Sequence, residues 1–569
     1  MSAAVALRSL LGVLLLIGPV WSADPPAVVG KSGMVVAAEP LAAEIGVDIL
    51  RQGGNAVDAA VAVGFALAVT YPAAGNLGGG GFLVAVVSGE DGPETITLDF
   101  RETAPAAAHP RLYIDAADAG RPDAATLGPL AAGVPGSVAG MLHALERWGT
   151  MERSKVLAPA IRLARGGFAL PKRTADFLAA KSIAEKMQQF PATAALFYPD
   201  GKPLAAGAPL VQTELAQTLD SIAMSGRDGF YKGTVAAAIV AEMKRAGGII
   251  TAEDLAGYKP IERTPIRFGY RGHTVISMPP PSSGGFCLQQ TLTMLQYLSL
   301  SRYGHNSSAS IHVISEALRR SFLDRNRYLG DPDGQELPLP RLLSRAHIEK
   351  SLSSMQLDKA TPTSSLAAPA KGVDESEQTT HFAVVDRHRN AVAITTTLNG
   401  AFGCKALVKG AGFLLNNEMD DFATRPEQPN QYGLVQGEAN LVRPGRRPLS
   451  SMSPTIVLDK KERVEHVLGT PGGPTIITNV LQVFLNLVTY GLAPQAAVNA
   501  PKFHHQSIPD RIDYEPEIPR DVLDNLRKRG HALRLRQRIG DFQLISVDIE
   551  GGTVHGATDP RGGGAAVGY

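Results

Sequence analysis

Residues 378 to 386, Gln-Thr-Thr-His-Phe-Ala-Val-Val-Asp, stand at an abrupt change in the character of the chain. Ahead of them, Ala360 to Gln378 is rich in Pro, Ser, Ala, Lys and acids. It has no sustained apolar period and reads as an exposed linker. Behind them, Thr379 to Val385 and Ala391 to Thr397 are β-prone runs joined by the polar bend Asp386–Asn390, a hairpin signal. A hydroxyl residue therefore sits where loose chain enters a rigid core sheet. A cut ahead of Thr379 would leave a hydroxyl nucleophile and a free α-amine on one strand end. Such an amine has a pKa near ~8, close enough to neutral to act as a general base. Threonine activated by its own N-terminal amine is an established form of covalent catalysis. An ordinary surface hairpin would give the same local pattern, and this segment alone favours it.

The remaining organisation is that of a large mixed α and β protein. Pro40 to Arg51 reads as a helix closed by Gly53-Gly54, and Asn55 caps a second, almost wholly apolar helix ending before Pro72. A helix apolar on every side is buried on every side. Strand-like runs follow at Phe82 to Ser88 and Thr95 to Phe100. Residues 130 to 260 look mainly helical, as in Thr213 to Ser225 and Gly233 to Ala246. Pro279 to Gly285 reads as a turn and Ile311 to Leu329 as a helix. Strands are expected to dominate after the linker until a helix from Ile476 to Tyr490. No internal repeat is evident. Two mixed blocks of this kind fit an α+β layered core.

Composition excludes several classes. Among 569 residues the net charge is +1, so no basic field recruits nucleic acid. Two cysteines, Cys287 and Cys404, rule out a disulfide framework and a cysteine-rich zinc site; they could pair with each other in an oxidising compartment, but buried, unpaired residues are the expectation. At the N-terminus, Arg8 precedes the apolar run Leu10 to Val20, and Val20-Trp21-Ser22 offers small residues near a cut after Ser22. That is the layout of a secretory signal peptide over residues 1–22, too short to span a membrane comfortably. The mature chain is expected to be exported and soluble, periplasmic in a bacterium and otherwise secreted.

An ordered set of motifs narrows the class further. Gln52-Gly53-Gly54-Asn55-Ala56-Val57-Asp58, Gly75 to Phe82 and Leu98-Asp99-Phe100-Arg101-Glu102 come first. After the linker come Thr397-Leu398-Asn399, Gly412 to Phe422 and Arg447-Pro448-Leu449-Ser450-Ser451-Met452-Ser453-Pro454-Thr455. Gly469-Thr470-Pro471-Gly472-Gly473, Ala500 to Gln506 and Asp559-Pro560-Arg561 complete the set. Each is weak alone; in this order they resemble the γ-glutamyltranspeptidases, members of the N-terminal-nucleophile hydrolases, over nearly the whole chain after residue 30. The resemblance implies a four-layer αββα sandwich built jointly by two autocleaved chains, a large one of residues 23–378 and a small one of 379–569.

The same resemblance assigns roles. Thr379 attacks the carbonyl of Gln378, and the ester formed is cleaved by water. Thr397 is the second threonine that hydrogen-bonds the nucleophile; in an alternating strand it shares a face with Thr395 and Ala393. Arg101 binds the α-carboxylate of a γ-glutamyl donor through its planar fork, with help from the Ser450 and Ser451 hydroxyls. Asn399, Glu418 and Asp421 receive the α-ammonium, and one helical turn would bring the two acids to one face. Gly472 and Gly473 form the oxyanion hole. Pro426 to Gly437, with Tyr432, resembles a lid loop. Ala383 departs from the pattern where serine is common. No cofactor or metal is implied, and the partners are glutathione-like donors, amino acid or dipeptide acceptors, and the two subunits of one precursor.

Other patterns read as structural. The Gly75–Phe82 cluster lacks the ending of a phosphate loop and the spacing of a dinucleotide fingerprint. The adjacent His504 and His505 would point apart on a strand and make a poor metal pair. His381 with Ser450 hints at a serine triad, but no Gly-x-Ser-x-Gly elbow exists. Two rivals remain: a related acylase for cephalosporin or glutaryl amides, for which Glu418 and Asp421 have no purpose, and a non-enzymatic exported binding protein, which has no use for Thr379.

Overall fold

The computed structural model describes residues 26–89, 92–362, 379–425 and 428–569. The expected signal peptide and most of the linker, Gln378 included, lie outside the described residues. Two seven-stranded sheets form the centre. The first runs, in spatial order, Ala565–Gly568, Met34–Ala37, Thr380–Val385, Ala391–Thr397, Gly80–Gly89, Gly92–Asp99 and Ile261–Glu262. The second runs Val28–Gly30, Thr553–Thr558, Gln543–Asp548, Val464–Gly469, Thr455–Leu458, His273–Ser277 and Ile266–Tyr270. Every pairing within them is antiparallel.

Strand alternation sorts the core into layers. On the central hairpin, Phe382, Val384, Val392 and Ile394 face a cluster with the helices Pro40–Arg51, Ala56–Thr70 and Ser137–Trp148. Ala383, Val385, Ala391 and Ala393 face the other way, against Val457, Val467 and Ile545 of the second sheet. The far side of that sheet carries the helices Gly284–Tyr297, Ser308–Tyr328 and Thr475–Val488. Helix, sheet, sheet, helix: the αββα sandwich is borne out. Ala383, the position that departs from the family pattern, is fully buried between the sheets.

Local chemistry fixes the hairpin's place. The Asn55 side chain accepts from the N–H groups of Val57 and Asp58, and Asp58 answers with a bond to the Asn55 N–H, a reciprocal cap. All of Ala56–Thr70 is buried, as its almost wholly apolar sequence requires. The Asp386 carboxylate gathers the N–H groups of His388 and Asn390 across the hairpin bend. It also accepts from the Ala56 N–H at 3.0 Å, so an acid sits at that helix's positive end. Thr380 therefore pairs with Thr396, which brings Thr379 opposite Thr397.

Two expectations need correction. Strands do not dominate between the linker and residue 476. From Leu398 to Pro454 the described residues form only two short 3₁₀ turns, Glu418–Asp421 and Glu438–Asn440, and isolated bridges. The apolar residues there have no sustained period, and side chains supply the partners that a ladder would. The Pro279–Gly285 turn also passes directly into a helix at Gly284, its Ser282 Oγ accepting the Gly284 N–H. Cys287 and Cys404 are both buried and free. No helix among the described residues is long and apolar enough to cross a membrane.

Candidate active site

At the strand end, Thr379 is 5% exposed and its Oγ1 lies 3.5 Å from Thr397 Oγ1. Thr397 Oγ1 in turn accepts the Asn399 N–H at 2.7 Å. Asn399 adopts a left-handed conformation, φ 73°, which Asn tolerates better than most residues. That bend ends the strand and turns the Asn399 side chain to the Asn417 carbonyl, 2.9 Å away.

Glu418 and Asp421 stand at the two ends of one 3₁₀ turn, where residues three apart overlie each other. Both reach Arg101, which follows the strand Gly92–Asp99 and is fully buried. Glu102 Oε2 is 3.8 Å from the same guanidinium. Burial alone would lower the Arg101 pKa, but Glu418, Asp421 and Glu102 outweigh it and hold it raised. The acids show the opposite strain. Burial pushes Glu102 up to about 7 and Glu418 well above the carboxylate range. Neither Glu102 oxygen has a hydrogen-bond partner among the described residues, and Glu418 Oε2 has none. Glu102 and Glu418 are thus protonated more readily than ordinary carboxyls.

Ser450 and Ser451 form the facing wall. The Ser450 carbonyl accepts from both the N–H and the hydroxyl of Ser283, at 2.8 and 2.7 Å. Gly473 closes the remaining side at φ 53°. A Cβ there would come within 2.9 Å of the Tyr432 ring, so glycine is required both by conformation and by space. Gly472 sits beside it, its carbonyl taken by the N–H and hydroxyl of Thr475. Tyr432 donates its phenol to the Asn399 carbonyl at 2.7 Å and is 4% exposed, so residues 428–437 lie across the site.

One cavity is lined by Arg101, Thr379, Thr397, Asn399, Glu418, Asp421, Tyr432, Ser450, Ser451 and Gly473. Every expected site residue except Gly472, which is adjacent, and Gln378, outside the described residues, meets there. The cavity measures only about 20 Å³, room for roughly one water. Arg101 is paired with the acids expected to bind a donor's ammonium.

The model of the γ-glutamyltranspeptidase family matches residues 42–569. The chain belongs to the γ-glutamyltranspeptidase family. It is 46% identical to the glutathione hydrolase proenzyme of Escherichia coli K12 over 93% of this chain and 90% of that one. Among solved structures, the cephalosporin acylase of Bacillus halodurans superposes with a TM-score of 0.83 at 26% identity, covering 98% of this chain and 99% of that one. The γ-glutamyltranspeptidase of Helicobacter pylori is 44% identical, with a TM-score of 0.55 over 58% of this chain and 93% of that one. The γ-glutamyl activity expected from the sequence is borne out by this membership, with the acylase as the alternative. So is the enzyme class, on the N-terminal-nucleophile hydrolase fold.

Within this γ-glutamyltranspeptidase-family site, the rejected patterns have structural partners. His381 Nδ1 pairs with Thr395 Oγ1 at 2.8 Å, its ring fills the space over Gly469, and burial pushes its pKa down to about 3. His504 pairs with Thr478 and Gln506, while His505 accepts the Ser507 N–H. No group of three or more His, Cys, Asp or Glu among the described residues could hold a metal. Sequence reasoning missed Arg325, which also lines the cavity. Its only signal was a charged residue on a helix face otherwise set by Ile314, Leu318 and Phe322.

Proposed function

We propose that this chain cuts itself between Gln378 and Thr379 and then acts as an exported γ-glutamyl acyltransferase and glutathione hydrolase. The observation that supports this is the meeting, in one cavity, of a strand-end hydroxyl pair with a guanidinium and two carboxylates. A γ-glutamyl donor is zwitterionic at its α-carbon, so it can exchange partners with that ion cluster. Its carboxylate takes Arg101 with the Ser450 and Ser451 hydroxyls, and its ammonium takes Glu418, Asp421 and the Asn399 amide oxygen. Opening the Arg101 pairs costs little net, because each ion regains a partner of opposite sign.

The chemistry then runs in two steps. The freed α-amine of Thr379 accepts the proton from Oγ1 as that oxygen attacks the γ-carbonyl carbon. Negative charge collects on the carbonyl oxygen, where the Gly472 and Gly473 N–H groups stabilise it. The C–N bond breaks, the leaving amine takes the proton, and a γ-glutamyl ester remains on Thr379. Water or an acceptor's amine next attacks that ester, giving glutamate or a new γ-glutamyl amide and restoring Thr379. Thr397 holds the Thr379 oxygen in line, and Tyr432 covers the site. Residues 1–22 direct export, with the mature chain starting near Ala23 and ending, after the cut, as subunits 23–378 and 379–569. Cell fractionation with N-terminal sequencing checks this; a chain beginning at Met1 in the cytosol contradicts it.

The acylase alternative differs in one group, the α-amine. Matched γ-glutamyl and glutaryl anilides on wild type, Arg101→Ala and Asp421→Ala separate them. Leaving a buried cation unpaired costs on the order of 2–5 kcal/mol, hence roughly a thirtyfold or larger fall in kcat/KM. Asp421→Ala is expected to do this to the γ-glutamyl donor alone, and Arg101→Ala to both. Equal wild-type use of the two donors, with Asp421→Ala indifferent to both, assigns the chain to the acylases.

A further inference from the structure

Among the described residues, Arg325 is a buried arginine of the site that makes no ion pair. It stands near the C-terminal end of the helix Ser308–Tyr328 and is 1% exposed. Other buried arginines each meet a carboxylate: Arg101 meets Glu418 and Asp421, Arg319 and Arg320 meet Glu316, and Arg447 meets Asp99. Arg325 donates to neutral oxygens: Asn326 Oδ1 at 2.9 Å, Ser283 Oγ at 3.2 Å, Gln436 Oε1 at 3.3 Å and Ser451 Oγ at 3.5 Å. Burial lowers its pKa only to about 10, so it stays charged at neutral pH. A buried guanidinium without a counter-ion is destabilising unless a bound anion completes it. The cavity it lines is where the donor's α-carboxylate would sit.

We propose that Arg325 is a positioning residue for the donor's α-carboxylate, acting through Ser451. This rests on the γ-glutamyl reading above. Arg325 donates a hydrogen bond to Ser451 Oγ, which leaves the hydroxyl's own hydrogen to be aimed at the carboxylate. Its charge also balances the site. Once the donor's ammonium holds both acids ionised, Arg101 and Arg325 together match Glu418 and Asp421, and these four groups carry no net charge around the zwitterion. Without Arg325 the donor's carboxylate would face an excess of acid. The contact to Gln436, whose amide reaches the Asp421 carbonyl at 2.9 Å, further ties the covering loop to the same guanidinium.

Three anilide donors test this: γ-glutamyl, with carboxylate and ammonium; glutaryl, with carboxylate only; and 4-aminobutyryl, with ammonium only. Each is read as kcat/KM, or as a competitive inhibition constant against the γ-glutamyl anilide where turnover is too slow. In the mature enzyme Arg325→Gln is expected to weaken the two carboxylate donors about tenfold or more, mainly in KM, and to leave 4-aminobutyryl unchanged. Arg325→Lys, which keeps charge but loses the fork, should fall between. Equal loss on all three donors reveals a purely structural role and overturns the proposal, as does no loss at all. If Arg325→Gln does not fold or mature, the same carboxylate-selective pattern is required of Arg325→Lys alone. Failure of the γ-glutamyl reading itself would show in the wild type, as equal use of γ-glutamyl and glutaryl anilides.

Discussion

The hairpin of residues 380–397 and the stretch from Leu398 to Pro454 serve the same cavity by opposite means. The hairpin is held on both sides by backbone ladders, to Met34–Ala37 and to Gly80–Gly89. Its side chains alternate between two cores, so a one-residue slip would invert every one of them. The stretch has almost no ladder. Asn416 holds it down, with Nδ2 giving to the carbonyls of Gly78 and Gly133 at 2.8 Å each, and Oδ1 accepting from Gly133 and Glu418. Asn440 links the Asp421 carbonyl to the Leu449 N–H, and Arg447 reaches Asp99 and the Arg101 carbonyl. Buried backbone must find partners somewhere. Where a ladder supplies them, single side chains are replaceable; where one amide supplies four, it is not.

The sharpest test of the hairpin is the nucleophile. Thr379→Ala removes the proposed attacking oxygen and is expected to leave one uncut, inactive chain. Intact mass and sequencing of the small fragment check this in the wild type, and a first residue other than Thr379 defeats the assignment. Next comes the direct contrast between the regions. Asn416→Ala orphans three buried backbone groups, since the Gly78 carbonyl keeps the Asn416 N–H, and should cost about 2–4 kcal/mol in denaturant unfolding. Thr395→Val keeps a β-branched residue in the ladder and loses only the bond to His381, so about 1 kcal/mol is expected. Comparable losses from the two would erase the distinction drawn between ladder and side-chain support.

The smallest effect concerns the covering loop. Asp420 is buried, accepts the Gln431 N–H at 3.0 Å, and burial pushes its pKa up to about 7. A carboxyl whose folded pKa is raised stabilises most below its unfolded value, near ~3.9, and that contribution is lost as pH rises through about 7. Asp420→Asn keeps the acceptor and has no charge to lose. Relative to wild type it should gain stability at pH 8 compared with pH 4, by about 1 kcal/mol, because an opening loop lets water relieve the charge. Paired melting curves at the two pH values check the sign; a gain that is larger at pH 4 contradicts it.

Much of the scaffold was legible in the residues. The bounds of Pro40–Arg51, Thr213–Ser225 and Gly233–Ala246 follow from period and punctuation. The Asn55 cap and the Asp386–Asn390 bend follow from short-range hydrogen bonding. The site residues were legible through an ordered family pattern, whereas their mutual geometry was not. Nothing near Arg101 announces that it pairs with Glu418, 317 residues away.

The sequence by itself determined the layered core and the placing of a threonine hydroxyl at the end of a buried strand, because alternation, capping and turn chemistry act within a few residues. Only the tertiary structure decided that Arg101 is already occupied by Glu418 and Asp421, that Tyr432 seals the cavity against Gly473, and that Arg325 meets Ser451 with no ion pair among the described residues. Those are Coulombic and steric facts between segments far apart in the chain. No local period encodes them, since burial and the meeting of charges exist only once the sheets and the Leu398–Pro454 stretch have packed.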